Sequence, residues 1–498
     1  MRLRRLLRRT STRPSATAAR AGPLGSARRR FPAPRAGACP VEVREDGSTG
    51  TPRRYPLPAP DVPASHGSRV IHSTAAGIER LIPRPVDNFP RRLAGSGILW
   101  RPTAPIRRSA TDFHGETGTD MHPMLKPALR RAWRDRQSVQ FGVTPERAVT
   151  VGPLDTATGS LVELLDGTRG LELLRAEARA AGLPEGRVDA LVHRLAEAGL
   201  LDDTEAASTS AALRERPALR ERLRPDLASL SVVHPEPGAA FARIAARRAT
   251  RVAVRGAGRV GATVAACLSA AGIGTVDVHD GGVAEPGDAA PGGLPASEAG
   301  ERRDAAARRL VRAQAPDRPP RAGGGGRGAA RDPGLALVVV APRDGLGAYA
   351  PDPRMAQDWI GAGVPHLYAG VVEATGVVGP LVLPGATPCA ECQERARAER
   401  DPARSMLLAQ WRSGRRRSVP VACDVALATA VAGLAAAHAL AFLDGGLPES
   451  AGARWEVSLP GLRWRSERLG AHPECSCGAG RGGHGGDGGS AAHERMHA

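Results

Sequence analysis

Three glycines, Gly256, Gly258 and Gly261, stand in GxGxxG spacing within RVAVRGAGRVGATVAACLSAAGIG. Glycines so placed let the backbone turn tightly and approach a phosphate, which a helix N-terminus attracts through its unpaired N–H groups and its dipole. A β-rich run precedes them and a small-residue helix follows. The next strand, starting at Gly274, ends in Asp280. An acid at that place bonds ribose hydroxyls in dinucleotide-type folds, and a strand-end turn aspartate is the alternative. The second constellation is sulfur: Cys389 and Cys392 as CxxC, then Cys475 and Cys477 as CxC. Two such pairs can close a tetrahedral thiolate site around zinc, with no position left for water or substrate, so its expected role is structural. His472 is a candidate to replace one of those sulfurs, and reduced, unligated thiols are the other reading. Cys39, Cys267 and Cys423 are read as inert or core.

The elements that must position these groups belong to an α/β domain over residues 251–477. LALVVVA reads as a buried strand, and two further strands lead into Pro388-Cys389. Val425–Leu443 is an apolar, alanine-rich run behind Asp424, read as a buried helix rather than a membrane span. Upstream, residues 121–205 form a small module. Ser138–Val143 and Ala148–Val151 read as a hairpin, followed by helices at Ser160–Leu165, Gly170–Ala181 and Gly186–Gly199 with apolar residues on one face. This is a winged-helix-sized unit. Residues 206–250 read as a polar connector with some helix, Arg318–Gly334 as a surface loop, and 478–498 as a disordered Gly/His-rich tail.

Composition constrains the rest. The chain has 498 residues and a formal charge of +18, with a single lysine, Lys126, among its basic residues. Residues 1–120 hold 22 Arg against 9 acids, so most of the charge lies in an Arg/Pro-rich stretch with no sustained period, expected to be disordered. The next methionine after Met1 is Met121, the pattern that a start codon read too early would leave; a translated tail is the alternative. The folded part is then close to neutral, and no nucleic-acid partner is expected. Seven cysteines are too few for a disulfide scaffold and favour metal in a reducing compartment, the cytoplasm. No membrane association is expected.

The stretch from Tyr368-Ala-Gly370 through Gly376, Pro384-Gly385 and Pro388-Cys389-Ala-Glu-Cys392, then the helix at 422–443 and Cys475/Cys477, resembles the ThiF/MoeB superfamily of ubiquitin-activating-enzyme-like adenylyltransferases. The resemblance implies a Rossmann-like domain with a mixed sheet and a four-cysteine zinc knot. It also implies ATP and Mg²⁺ across the glycine loop, with the C-terminal carboxylate of a peptide or sulfur-carrier protein attacking the α-phosphate. Gly256, Gly258, Gly261 and Asp280 match its nucleotide positions. Arg303 stands where a lysine is usual, and Asp344 is the candidate Mg²⁺ ligand after LALVVVA. An expected Asn-x-x-Arg is replaced by GDAAPGGL (Gly287–Leu294). LVELLDGTRGLELL…LVHRLAEAGLL resembles the PqqD-like recognition modules of ribosomal peptide pathways.

Three functions follow. One is adenylation of a peptide or carrier carboxylate, within ribosomal (azole) peptide biosynthesis. The second is a catalytically degenerate scaffold that binds a leader peptide for a YcaO-like cyclodehydratase partner. The third, a nicotinamide or flavin oxidoreductase, gives the cysteine pairs no role. Homodimers are common in the resembling family, so the resemblance implies a homodimer as one expectation.

Overall fold

The computed structural model describes residues 70–71, 121–204, 216–317, 334–413 and 420–479. The tail expected over 1–120, Val70–Ile71 excepted, residues 318–333 of the expected loop and the tail after 479 lie outside the described residues.

The first body of structure comprises Val70–Ile71 and the chain from Met121. Strands β1 (Val70–Ile71), β3 (Arg131–Trp133), β4 (Val139–Phe141) and β5 (Val149–Val151) form one sheet in the order β1-β5-β4-β3, and β2 (Pro123–Leu125) pairs antiparallel with β6 (Leu201–Asp203). The β4–β5 hairpin sits where the alternation of Val139, Phe141, Val149 and Val151 requires. Helices α1 (Thr156–Glu163), α2 (Leu171–Ala180) and α3 (Arg187–Glu197) follow. α1 starts earlier than its leucine spacing predicts, because Asp155 caps it: its Oδ1 accepts the Thr158 N–H at 2.7 Å. Phe141, Leu161, Leu174, Leu191 and Leu195 meet in one apolar cluster.

Residues 216–248 are more ordered than their Pro/Arg-rich composition implies. Helices α4 (Pro217–Arg222), α5 (Arg224–Val233) and α6 (Ala239–Arg248) close around Leu219, Leu223, Leu227, Leu230 and Ile244. Buried polar contacts tie them to both neighbours. Lys126 donates to the carbonyls of His234 and Pro235 at 3.0 and 3.2 Å, and Asp202 accepts from Ser231 Oγ and the Gly238 N–H, both at 2.7 Å. At the other end Arg247 forks onto Asp444 at 2.8 and 2.6 Å, with both side chains 6% exposed.

That pair sets a stability prediction. Arg247→Ala leaves Asp444 charged and buried without its partner, which costs about 3–5 kcal/mol. Replacing both residues with apolar side chains of similar volume removes the uncompensated charge, so Arg247→Met/Asp444→Leu is expected to recover most of the loss. Denaturant unfolding of the three proteins reads this, and a single variant no less stable than the double would contradict it.

The larger body is a seven-stranded mixed sheet in the order β13-β12-β11-β10-β9-β7-β8. β8 (Thr275–His279), β7 (Arg251–Arg255), β9 (Leu335–Val340) and β10 (His366–Val372) run parallel; β11 (Thr375–Val382), β12 (Ala453–Ser458) and β13 (Trp464–Arg468) continue antiparallel. The parallel strands are apolar because helices cover them. α7 (Arg259–Ala270), α8 (Arg303–Gln314) and α13 (Val425–Leu443) bury one face with Leu367, Ala369 and Val371 of β10, and α9 (Leu346–Tyr349), α10 (Gln357–Gly361), α11 (Ala390–Arg400) and α12 (Arg404–Arg412) come between α8 and α13 in the chain. Tyr368, between those residues and so on the opposite face, packs with Cys389, Cys392 and Cys477.

Among the described residues α13 is the helix long and apolar enough to cross a membrane. Its Leu427, Val431, Ala435 and Phe442 belong to the sheet's core, and Asp424 caps its start by accepting the N–H groups of Ala426 and Leu427 at 2.9 and 3.0 Å.

Candidate functional site

The chain leaves β7 through Gly256, forms α7, and returns as β8 on one side of β7; β9 then takes the other side. A crevice opens outside the carboxyl ends of strands where the order reverses in this way. The glycine loop lies at this point of reversal. Gly256 has φ +108°, and a Cβ there would lie 2.1 Å from the Ala341 carbonyl oxygen, at the end of β9. A Cβ on Gly261 would lie 2.2 Å from the Gly256 carbonyl oxygen. Gly258 is the N-cap of α7 and offers no side chain, so no side chain claims the first-turn N–H groups and the helix end is suited to an anion.

Five charged side chains ring this loop. Asp280 accepts from the N–H groups of Ala257 and Gly282, both at 2.8 Å, and from Arg303 Nε at 3.1 Å. A carboxylate has about four acceptor positions, so one remains for a ribose hydroxyl. Arg303, at the start of α8, also donates to the Val283 carbonyl at 2.7 Å and to Asp288 Oδ2 at 3.4 Å. Asp288 accepts Arg343 Nε on its other oxygen at 2.6 Å, and Arg343 reaches Glu285 at 2.7 Å. Asp344 is exposed, and its Oδ1 accepts the Leu346 N–H at 3.0 Å. Cys423, half-buried before α13, accepts from Arg259 at its carbonyl at 2.7 Å. Burial pushes its thiol up, which agrees with a core role rather than a nucleophile's.

The four paired cysteines converge elsewhere on the same domain. The Cys389 and Cys392 sulfurs are 3.9 Å apart, and each lies 3.5 Å from one sulfur of the second pair, Cys475 and Cys477 respectively. All four sulfurs lie within 4.8 Å of one another. A tetrahedron with Zn–S bonds of ~2.3 Å has edges of about 3.8 Å, so the donor set and spacing fit a closed S4 site. Sulfur hydrogen bonds from Cys389 and Cys477 hold the Cys392 thiol down as a thiolate, the matching bond from Cys392 drives Cys389 up, and burial lifts Cys475 to about 12. His472 is no substitute ligand: its Nε2 is 2.8 Å from Glu399, and its Nδ1 accepts the Glu474 N–H at 3.2 Å.

The structure thus brings Gly256, Gly258, Gly261, Asp280 and Arg303 together. It places Asp344 at the same strand end and gathers Cys389, Cys392, Cys475 and Cys477 as a separate cluster. Asp288, Glu285 and Arg343 were not singled out as site residues. The available signal was an arginine directly after a buried strand at the reversal point, and an acid in a loop expected to hold an arginine.

Residues 241–479, which include this α/β body, match the ThiF family. Several solved structures share the fold over a longer span. MccB, the microcin C7 biosynthetic enzyme, in complex with N-formylated MccA is 16% identical with a TM-score of 0.52, over 72% of this chain and 99% of that one. E. coli MccB with ATP is 17% identical at 0.52, over 71% and 99%. PaaA is 17% identical at 0.50, over 69% and 98%. No curated protein matches this chain.

Proposed function

We propose that this protein binds ATP on the glycine loop and adenylates the C-terminal carboxylate of a peptide or small carrier protein. One carboxylate oxygen attacks the α-phosphorus, the bond to the β-phosphate oxygen breaks, and acyl-adenylate and pyrophosphate result. The observation that carries this reading is the uncapped α7 N-terminus, set at the strand-order reversal between Asp280 and two arginines. The α7 N–H groups and an arginine beside the loop would hold phosphate oxygens as charge builds there. Asp280 has one acceptor position for the ribose, and exposed Asp344 would hold Mg²⁺, which neutralises phosphate charge when bound. The cysteine cluster would hold structural zinc away from the reaction. Two things support a peptide as the acyl donor: the recognition-module resemblance of residues 121–205, and the shared fold with MccB, solved with ATP and with MccA. A cytoplasmic setting suits the unpaired thiols.

A second reading, the leader-peptide scaffold serving a YcaO-like partner, is favoured by one feature. Asp288, its side chain 4% exposed, engages both arginines with its two oxygens. Cations already neutralised hold a triphosphate less tightly.

ATP–pyrophosphate exchange with candidate peptide carboxylates separates the two. Exchange is expected, and Asp344→Asn is expected to lower it about 100-fold without shifting the melting temperature. A protein that binds precursor peptide but no ATP in calorimetry would leave the scaffold.

A further inference from the structure

We infer that Arg343, rather than Arg303, is the arginine that contacts the nucleotide phosphates; this rests on the reading of the glycine loop as an ATP site. The two arginines share one aspartate but differ in what else they do. Arg303 is 12% exposed, and its guanidinium ties Asp280, the Val283 carbonyl and Asp288 into one loop. Gly282 leaves it room, since a Cβ there would fall 1.9 Å from its Nη2. Its position is that of a brace for residues 280–288, and swinging it out would release three acceptors at once.

Arg343 is arranged differently. Its stem lies along the residue that caps α7: a Cβ on Gly258 would lie 3.1 Å from Arg343 Cα and Cγ and 3.2 Å from its Cβ. The side chain therefore leaves the backbone beside the unclaimed N–H groups of the helix end. It is 28% exposed, Asp288 holds Nε and Glu285 holds Nη2, while Nη1 makes no hydrogen bond among the described residues. Glu285 is itself 60% exposed, so that contact is the weaker of the two and is readily exchanged for a phosphate oxygen. The planar guanidinium can keep Nε on Asp288 and present its outer nitrogens to an anion, a geometry lysine lacks. The loop after β8 thus supplies a carboxylate, and the turn after β9 supplies the cation it orients.

The test measures the affinity of Mg²⁺-ATP, without acyl substrate, for the full chain and for Arg343→Ala, Arg343→Lys and Asp288→Asn, together with each melting temperature. Loss of one charge-assisted phosphate contact is expected to weaken ATP about 10- to 100-fold in Arg343→Ala. Arg343→Lys is expected to recover part of that loss. Asp288→Asn removes an anion that competes with the phosphates while keeping an oxygen for Nε, and is expected to tighten ATP several-fold. If Arg343 did no more than close an ion pair, Arg343→Ala and Asp288→Asn would weaken ATP alike; that result, or unchanged affinity in Arg343→Ala, overturns the assignment. A wild-type protein that binds no ATP overturns the nucleotide reading along with it, a result distinguishable from either.

Discussion

Cys392→Ser is expected to abolish stable metal binding and to lower the melting temperature by more than about 10 °C, or to leave the chain insoluble. Two segments more than eighty residues apart in sequence meet through these sulfurs. Cys389 and Cys392 are buried against Tyr368 and Val382 of the sheet, so the metal would link the end of the chain to the fold's own core. A structural zinc site contributes about 10–16 kcal/mol of binding free energy, and that energy counts towards folding because the unfolded chain has no preformed site. Metal analysis of the purified wild type should give close to one zinc per chain, and a strong chelator should reproduce the variant's loss. Metal-free wild-type protein that melts at the same temperature as Cys392→Ser would sink this reading.

The cysteine cluster was legible from two close pairs, a CxxC after Pro388 and a CxC at residues 475–477, with His472 and unligated thiols as the alternatives the spacing left open. The glycine loop was legible because it is local, its GxGxxG spacing lying between a β-rich run and a small-residue helix. Strands β7 and β9 announced themselves as short apolar runs bounded by turns. What escaped notice depends on contacts across long separations. Arg343 and Asp288 stand 55 residues apart, and neither sequence context marks them as a pair. β13 is exposed along its whole length, so it carries no alternation to read, and β3 is likewise exposed at Arg131, Ala132 and Trp133. Leu219, Leu223, Leu227 and Leu230 did have helical spacing, but arginines and prolines between them gave the segment the look of a linker.

The ring of charges also bears on how the site works. Three carboxylates face two guanidinium groups around the loop, so an incoming triphosphate meets no excess of positive charge from these five side chains. Nucleotide binding as proposed would then rely more on α7's N–H groups and on Mg²⁺ than it would in a site with unpaired cations. Affinity for ATP should accordingly depend strongly on Mg²⁺ and on the loop's backbone geometry.

That dependence makes Gly256→Ala the most damaging single change available in the loop. The new Cβ would stand 2.1 Å from the Ala341 carbonyl oxygen and 2.7 Å from its carbon, both backbone atoms that cannot rotate aside. The residue also holds φ +108°, a conformation that L side chains rarely adopt. Either β9 shifts away from β7 or the loop abandons its turn, and both outcomes disturb the parallel core as well as the α7 N-terminus. Strain at such a φ costs about 1–3 kcal/mol, and the backbone collision adds to it, so a loss of about 4 kcal/mol or more is expected. Gly281→Ala is the control, since nothing lies within 4 Å of a Cβ there and the site is exposed; its effect should stay within about 0.5 kcal/mol. Thermal unfolding of the two variants beside ATP titration tests the point. Equal stability and equal ATP affinity in both would mean that the loop is not wedged between β7 and β9, and the nucleotide site would lose its floor.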